Sequence, residues 1–231
     1  MRPIRRHSTR ALALATLAAS LLLSACDRPQ PQASDPPGQA TPPATAPAPV
    51  QQATQTPAPA ETAAIHAVFK QTSGTIKVRL ATAEAPRLCM AFIVLAERGY
   101  FKGRRWTDFS PVVRQLGDSP PLFSVAREFS PKLLFDKGGL LCASNTSEGN
   151  DARAKPNRIF LTVKEQDRWN LKYVVFGTIE TGLPVAQSLS DGETMSEVTI
   201  EGDASALRAR YAKEIAEWNK AIDALPAPRA Q

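Results

Sequence analysis

The residues best suited to chemistry lie in one stretch, residues 104–118, which reads Arg-Arg-Trp-Thr-Asp-Phe-Ser-Pro-Val-Val-Arg-Gln-Leu-Gly-Asp. Aromatic, apolar and hydrogen-bonding side chains are mixed there. That mixture suits a strand that holds a ligand by apolar contact and a few directed hydrogen bonds. Covalent chemistry lacks its parts. His66 is the only histidine after residue 25 and falls on a predicted strand, so no Ser-His pair can be identified. No His/Cys/Asp/Glu cluster has metal-ligand spacing, and no glycine-rich phosphate loop is present. The sequence predicts neither a metal nor an organic cofactor.

The elements that must position this stretch follow from periodicity. His66-Ala67-Val68-Phe69-Lys70 and Thr75-Ile76-Lys77-Val78-Arg79-Leu80 alternate apolar and polar around Ser73-Gly74, which predicts a hairpin with one buried face. Residues 84–99 predict a helix, with Ala85-Pro86 at its start and Gly99 as its cap. A strand is expected over 106–113. Further strands are expected in the apolar runs at 139–143, 158–163, 173–179 and 195–200, with a short helix over 183–189. Six or more short strands with few helices predict a mainly β chain whose antiparallel sheet closes into a barrel. Leu207, Tyr211, Ile215, Trp218, Ile222 and Leu225 then recur at helical spacing. They make an amphipathic C-terminal helix, with Asp203 or Ser205 as N-cap and Pro226 as its stop. Its apolar stripe either packs on its own barrel or forms a partner or dimer contact over 203–225.

The ends are built differently. Arg2, Arg5, Arg6 and Arg10 precede an apolar run at 11–23, followed by Leu23-Ser24-Ala25-Cys26. A basic region followed by an apolar run reads as an export signal over 1–25. An apolar run of about 13 residues is too short to span a bilayer. The Leu-Ser-Ala-Cys word resembles a bacterial lipobox, which implies a lipid-bearing Cys26 and a membrane-surface location facing the periplasm. Asp27 resembles an inner-membrane retention signal. Without the four signal arginines the net charge falls from +6 to about +2, so no nucleic-acid partner is expected. Residues 26–63 are rich in Pro, Ala, Gln and Thr with almost no large apolar side chain, a composition that makes a spacer and not a core. Cys89 and Cys142 remain, either as two free core thiols or as a pair. The folded part is expected over 64–202 and the helix with its tail over 203–231.

Taken in order, several short words resemble the cyclophilin family of peptidyl-prolyl isomerases. They are Gly74-Thr75-Ile76 with Leu80, Ala85-Pro86-Arg87, Phe92 with Leu95, Gly99-Tyr100-Phe101-Lys102-Gly103, and Pro111. Gln115 with Gly117-Asp118, Glu128-Phe129 before Gly138-Gly139-Leu140, and Val175-Phe176-Gly177 continue the series. The resemblance covers roughly residues 65–203. It implies an eight-stranded antiparallel barrel capped by two helices, with a groove that binds X-Pro polypeptides and catalyses rotation about the tertiary amide.

It also implies a site, and this chain departs from it. The family's Phe-His-Arg word falls on Trp106-Thr107-Asp108, so Asp108 stands at the catalytic arginine position and cannot donate that hydrogen bond. Gln115 matches the substrate-binding glutamine. Val113 stands for the strand's phenylalanine, with Val112 the alternative. Met-Ala-Asn becomes Cys142-Ala143-Ser144, retaining Ala143. Phe160 keeps the aromatic floor while Arg158 replaces a glutamine. Trp169 matches the rim tryptophan and Tyr173 replaces the rim histidine. The loop after Gly117-Asp118 is cut to Ser119-Pro120-Pro121-Leu122, and the loop over 144–156 is longer. The resemblance thus implies catalytic Gln115 and Phe160, and substrate contacts from Val113, Gln115, Ala143, Phe160, Trp169 and Tyr173. Arg114 or Arg158 could supply a replacement guanidinium, or both could be solvated surface charges. Two functions remain open: a weakly active, membrane-anchored isomerase or folding factor for exported proteins, and a non-catalytic peptide- or partner-binding module.

Overall fold

The structure, a computed structural model, describes residues 64–117, 120 and 122–226. The signal segment, Cys26, Asp27, the linker, Asp118 and the tail beyond Pro226 lie outside the described residues, as does the side chain of Asp108.

Eight strands form one antiparallel sheet: β1 (His66–Gln71), β2 (Gly74–Leu80), β3 (Trp106–Phe109), β4 (Val113–Leu116), β5 (Leu140–Asn145), β6 (Ala154–Thr162), β7 (Val174–Thr181) and β8 (Met195–Glu201). Their spatial order is β3-β4-β6-β5-β7-β2-β1-β8. The two edge strands meet just before they begin, through an Arg105–Thr194 bridge. Gly103 N donates to Met195 O and Met195 N to Arg104 O, both at 2.8 Å, and Trp106 N donates to Glu193 O at 2.9 Å. This seam closes the sheet into the barrel that the sequence predicts. Joining the two edges reduces the run of unpaired backbone groups that an open sheet would leave.

The stretch at 106–113 forms two strands, not the single one expected. Ser110 Oγ accepts hydrogen bonds from Val112 N at 3.3 Å and Val113 N at 3.1 Å, and Pro111 fixes φ while offering no donor. The chain therefore reverses at 110–112, and β3 pairs back on β4 with Asp108 opposite Gln115.

Helix α1 (Pro86–Glu97) starts as expected, with proline in its first turn. Two of its orphan N–H groups, those of Arg87 and Leu88, donate to the Glu128 carboxylate at 3.3 and 3.0 Å. It ends at Gly99, whose φ of +69° permits the paired closing bonds Tyr100 N to Leu95 O and Gly99 N to Ala96 O, both 2.9 Å. Every residue from Leu88 to Ala96 is buried. A helix apolar on all sides needs cover on all sides. The barrel covers one side, and α3 (Ser205–Arg210) and α4 (Ala212–Asp223) cover the other. α2 (Leu183–Ser188) follows Gly182, whose φ is +90° and where a Cβ would stand 2.4 Å from Thr75 O.

The C-terminal segment is two helices where one was expected. They divide at Tyr211 (φ −109°, ψ 22°), which is buried with the Arg87 and Arg210 guanidinium groups over its ring. The break therefore coincides with the ring that packs against Arg87 of α1. Ala204 occupies the N-cap of α3, and Asp203 accepts from Ser205 N at 2.8 Å and from its hydroxyl at 3.0 Å. The apolar stripe is used within the chain. Trp218 is buried and stacks on Phe123 at 5.4 Å and 11°. Arg98 pairs with Asp223 and Arg208 with Glu97. Cys89 and Cys142 are free and buried; burial pushes both thiols well above their ordinary pKa.

Two outcomes follow from this packing. Trp218→Ala removes both core contact and the Phe123 stack, so it should cost about 3 kcal/mol, read as a lower urea midpoint at unchanged m-value. At the seam, partial burial raises the Glu193 pKa, but hydrogen bonds from Ser73 and Ser190 outweigh it and hold the carboxyl below its ordinary 4.5. A depressed carboxylate contributes stability above its unfolded pKa and loses it as pH falls through the folded pKa. Glu193→Gln should therefore lower the melting temperature at neutral pH, and the gap to wild type should close progressively below pH 4.5. A gap constant with pH would contradict this.

Candidate functional site

Side-chain parity divides the apolar residues into two clusters. Leu116, Leu141, Ala143, Ile159, Leu161, Val174 and Phe176 point into the barrel. Val113, Leu140, Cys142, Phe160 and Val175 point outward from the same strands and pack with Phe135. The outer cluster floors a groove of about 670 Å³. Val113, Gln115, Phe160, Trp169 and Tyr173 line it, together with Thr107, Phe109, Ser110 and Arg158.

The floor is aromatic. Phe160 is 3% exposed and meets Trp169 at 5.9 Å and Tyr173 at 5.6 Å, both edge-on at 86°. Trp169 and Tyr173 meet at 5.5 Å and 73°. Trp169 comes from a single 3-10 turn (Asp167–Trp169). Its carbonyl accepts from Lys172 N at 3.0 Å and Tyr173 N at 3.2 Å, which folds the turn back so that both rings face the groove. Behind them Phe135 meets Trp169 edge-on at 5.9 Å, and Phe135 N donates to Asn170 Oδ1 at 2.8 Å. Such edge-to-face contacts add specific geometry to the burial.

A polar arm lies beside this floor. Gln115 is the direct cross-strand partner of Phe160 in the β4–β6 pairing, so the two side chains share one face. The Gln115 amide is assigned with its oxygen toward Arg158, the orientation in which that oxygen accepts from Nε at 2.6 Å and Nη2 at 3.2 Å. Ser144, Asn145, Ser147 and Glu148, from the end of β5 and the longer loop, form the opposite wall. The arrangement suits an extended peptide with a compact apolar ring seated on Phe160.

Two sequence expectations are corrected here. Ala143 does not present its side chain to the groove. It is fully buried and packs inside the barrel, because β5 pairs Cys142 with Phe160 and Ala143 with Ile159. Arg114 does not line the groove either. Its guanidinium donates to Ser110 O at 2.8 Å, Val113 O at 3.0 Å and Gln187 O at 3.1 Å, and lies over Phe109. Of the two valines, Val113 lines the groove and Val112 packs partly buried against the outer cluster. Sequence reasoning passed over Phe135, which sits in a stretch without periodicity. It also passed over the contribution of Ser147 and Glu148, although the length of their loop was visible.

Comparison with known proteins agrees with this geometry. A family model described as "Cyclophilin type peptidyl-prolyl cis-trans isomerase/CLD" matches residues 66–205. The chain is 27% identical over 156 residues to a peptidyl-prolyl cis-trans isomerase-like 1 of Aspergillus niger, covering 63% of this chain and 94% of that one. It is 29% identical over 133 residues to peptidyl-prolyl cis-trans isomerase 10 of Caenorhabditis elegans, covering 51% and 77%. Among solved structures it resembles, at 19% identity and a TM-score of 0.53, a Cryptosporidium parvum cyclophilin-type peptidyl-prolyl cis-trans isomerase crystallised in the presence of the dipeptide Ala-Pro. That match covers 60% of this chain and 99% of that one. A family match over more than half of the sequence, on a closed barrel with an aromatic groove on its outer face, establishes that the chain belongs to the cyclophilin-type peptidyl-prolyl cis-trans isomerase family.

Proposed function

We propose that the groove binds an X-Pro segment of polypeptide and accelerates rotation about its tertiary amide, and that it does so slowly. Amide resonance sets a barrier of about 18–20 kcal/mol. Isomerisation breaks no covalent bond, so catalysis requires only that the twisted amide be held better than the planar one. The observation that carries this reading is the juxtaposition of Phe160 and Gln115 on facing residues of β6 and β4. Phe160 seats the proline ring, and Gln115 with Arg158 addresses the backbone next to it. The Ala-Pro dipeptide present with the Cryptosporidium relative supports the same occupant here. Slowness follows from Asp108, which stands on β3 where the family resemblance places its arginine. A preorganised donor is typically worth about two to three decades in rate.

The setting we propose is the periplasmic face of a bacterial membrane, with Cys26 lipidated, residues 27–63 as spacer and exported proteins as substrates. Asp27 favours the inner membrane. The second reading, a peptide-binding module without catalysis, is favoured by Asp108 alone.

A protease-coupled assay over a panel of X-Pro peptides separates the two. Wild type should exceed the buffer rate. Phe160→Ala should lower kcat/KM roughly 10- to 100-fold, the equivalent of losing about 1.5–3 kcal/mol of aromatic contact. A wild-type rate equal to buffer, with proline peptides still bound, would establish the binding module instead. For the anchor, cells fed labelled palmitate should label the wild-type chain in the inner-membrane fraction and leave Cys26→Ala unlabelled. Recovery of an unlabelled wild-type chain in the soluble fraction would overturn it.

A further inference from the structure

We propose that Arg158 is the amide-directed donor of this groove, delivered by a bulge in β6 instead of by β3; this rests on the isomerase reading above. The bulge is visible in the register. Ala143 faces Ile159 and the next residue, Ser144, faces Lys155, so one step along β5 corresponds to four along β6. Pro156, Asn157 and Arg158 are the additional residues. A bulge of this kind re-aims side chains that a regular strand would hold in alternation.

Two residues of the bulge are themselves held. Asn157 is 3% exposed, and its Nδ2 donates to the Tyr100 hydroxyl and to Pro120 O, each at 3.0 Å. The first of these bonds ties the bulge to Tyr100, three residues beyond the end of α1. On the other side Arg158 meets the Gln115 amide oxygen through Nε at 2.6 Å and Nη2 at 3.2 Å. Two N–H donations that converge on one amide oxygen hold the guanidinium against Gln115. Gln115 is itself fixed opposite Phe160. The guanidinium is thus set beside the aromatic floor, on the side from which the backbone flanking a seated proline ring is reached.

The chemistry suits the position. As the X-Pro bond twists, the amide nitrogen regains its lone pair and becomes an acceptor. A donor placed at that nitrogen acts on the twisted state and has little to bind in the planar one. Arginine stays charged throughout the working pH range and offers five N–H groups in a rigid fork. Arg114, the other candidate, is bonded to the Ser110, Val113 and Gln187 carbonyls and does not line the groove.

The test measures rotation and binding separately in the full-length protein. Exchange NMR on a proline peptide reports the catalysed rate, and titration reports affinity. Arg158→Ala should lower the catalysed rate about 10-fold, a part of the two to three decades that a fully preorganised donor supplies, while affinity stays within a few-fold, since Phe160 remains. Arg158→Lys should recover only part of the rate, because an ammonium lacks the fork. Arg158→Gln, which keeps a neutral hydrogen-bonding side chain, should resemble the alanine variant, and circular dichroism shows which variants are folded. Placing a guanidinium on β3 through Asp108→Arg in the Arg158→Ala background should restore rate. Wild-type rotation with Arg158→Ala or Arg158→Gln overturns the role of Arg158 and leaves the isomerase reading intact. Absence of rotation in wild type overturns the reading itself, and the inference with it.

Discussion

The groove depends on one constraint, the register at which β4 pairs with β6. Side chains alternate along a strand with period two, so a slip of one residue exchanges every inward residue for an outward one. With Gln115 opposite Phe160, Leu116, Ile159 and Leu161 enter the barrel while Val113 and Phe160 leave it. The same pairing therefore fills the inner core and builds the floor outside it. Val163 N donates to Val112 O at 2.9 Å and continues the β4–β6 pairing past the end of β6, and neighbouring features hold the strands on either side. Ser110 closes the β3–β4 turn through its hydroxyl. Thr162, fully buried, accepts from Leu140 N at 3.1 Å, tying the end of β6 to the start of β5. Gly177 lets β7 lie flush, since a Cβ there would stand 2.7 Å from a Val78 methyl.

The barrel in turn constrains what surrounds it. Because α1 is apolar on every side, the chain beyond the barrel must return to cover it, and α3 and α4 do so through Tyr211 and Trp218. This cover reaches the back of the functional face. Trp218 stacks on Phe123, two residues from Val125, which exchanges backbone hydrogen bonds with Ala154 at 2.9 Å in both directions. Arg153 adds bonds to the Ser124 hydroxyl at 3.1 Å and carbonyl at 3.0 Å. The segment leading into the β6 bulge is therefore clasped between the sheet and the C-terminal helices. Packing that begins as cover for α1 ends as support for the strand that carries Arg158 and Phe160.

How much of this was legible in the sequence follows from which interactions are local. The β1–β2 hairpin, the proline start and glycine stop of α1, and the closed mainly β architecture were readable, because alternation and capping are written in neighbouring residues. The division of 106–113 was not. Trp106 and Phe109 on one side and Val113 on the other continue an apolar pattern across the turn, and the reversal shows only in the bonds that Ser110 makes to Val112 and Val113 and in the β3–β4 pairing. Ala143 was misplaced because matching short words transfers residue identity but not side-chain parity, which β6 and β7 decide. Phe135 was invisible because no period surrounds it. The position of Arg158 was the least readable of all. It depends on a mismatch in length between two strands, and that mismatch is a property of the pair.

A donor matters catalytically by where its N–H groups sit relative to the rotating amide, and the element that carries it is secondary. A strand residue has the advantage of a fixed backbone. A long cationic side chain on a bulge begins with a disadvantage, since ordering an arginine costs on the order of 2 kcal/mol of rotamer freedom. Here the backbone of the bulge is fixed by Asn157 against Tyr100 and Pro120, and the fork is fixed by Gln115. Both restraints exist before any peptide arrives, so the ordering cost falls on folding and not on the chemical step. An aspartate at 108 on β3 is then compatible with a working groove, provided that the guanidinium enters from β6, across the same glutamine.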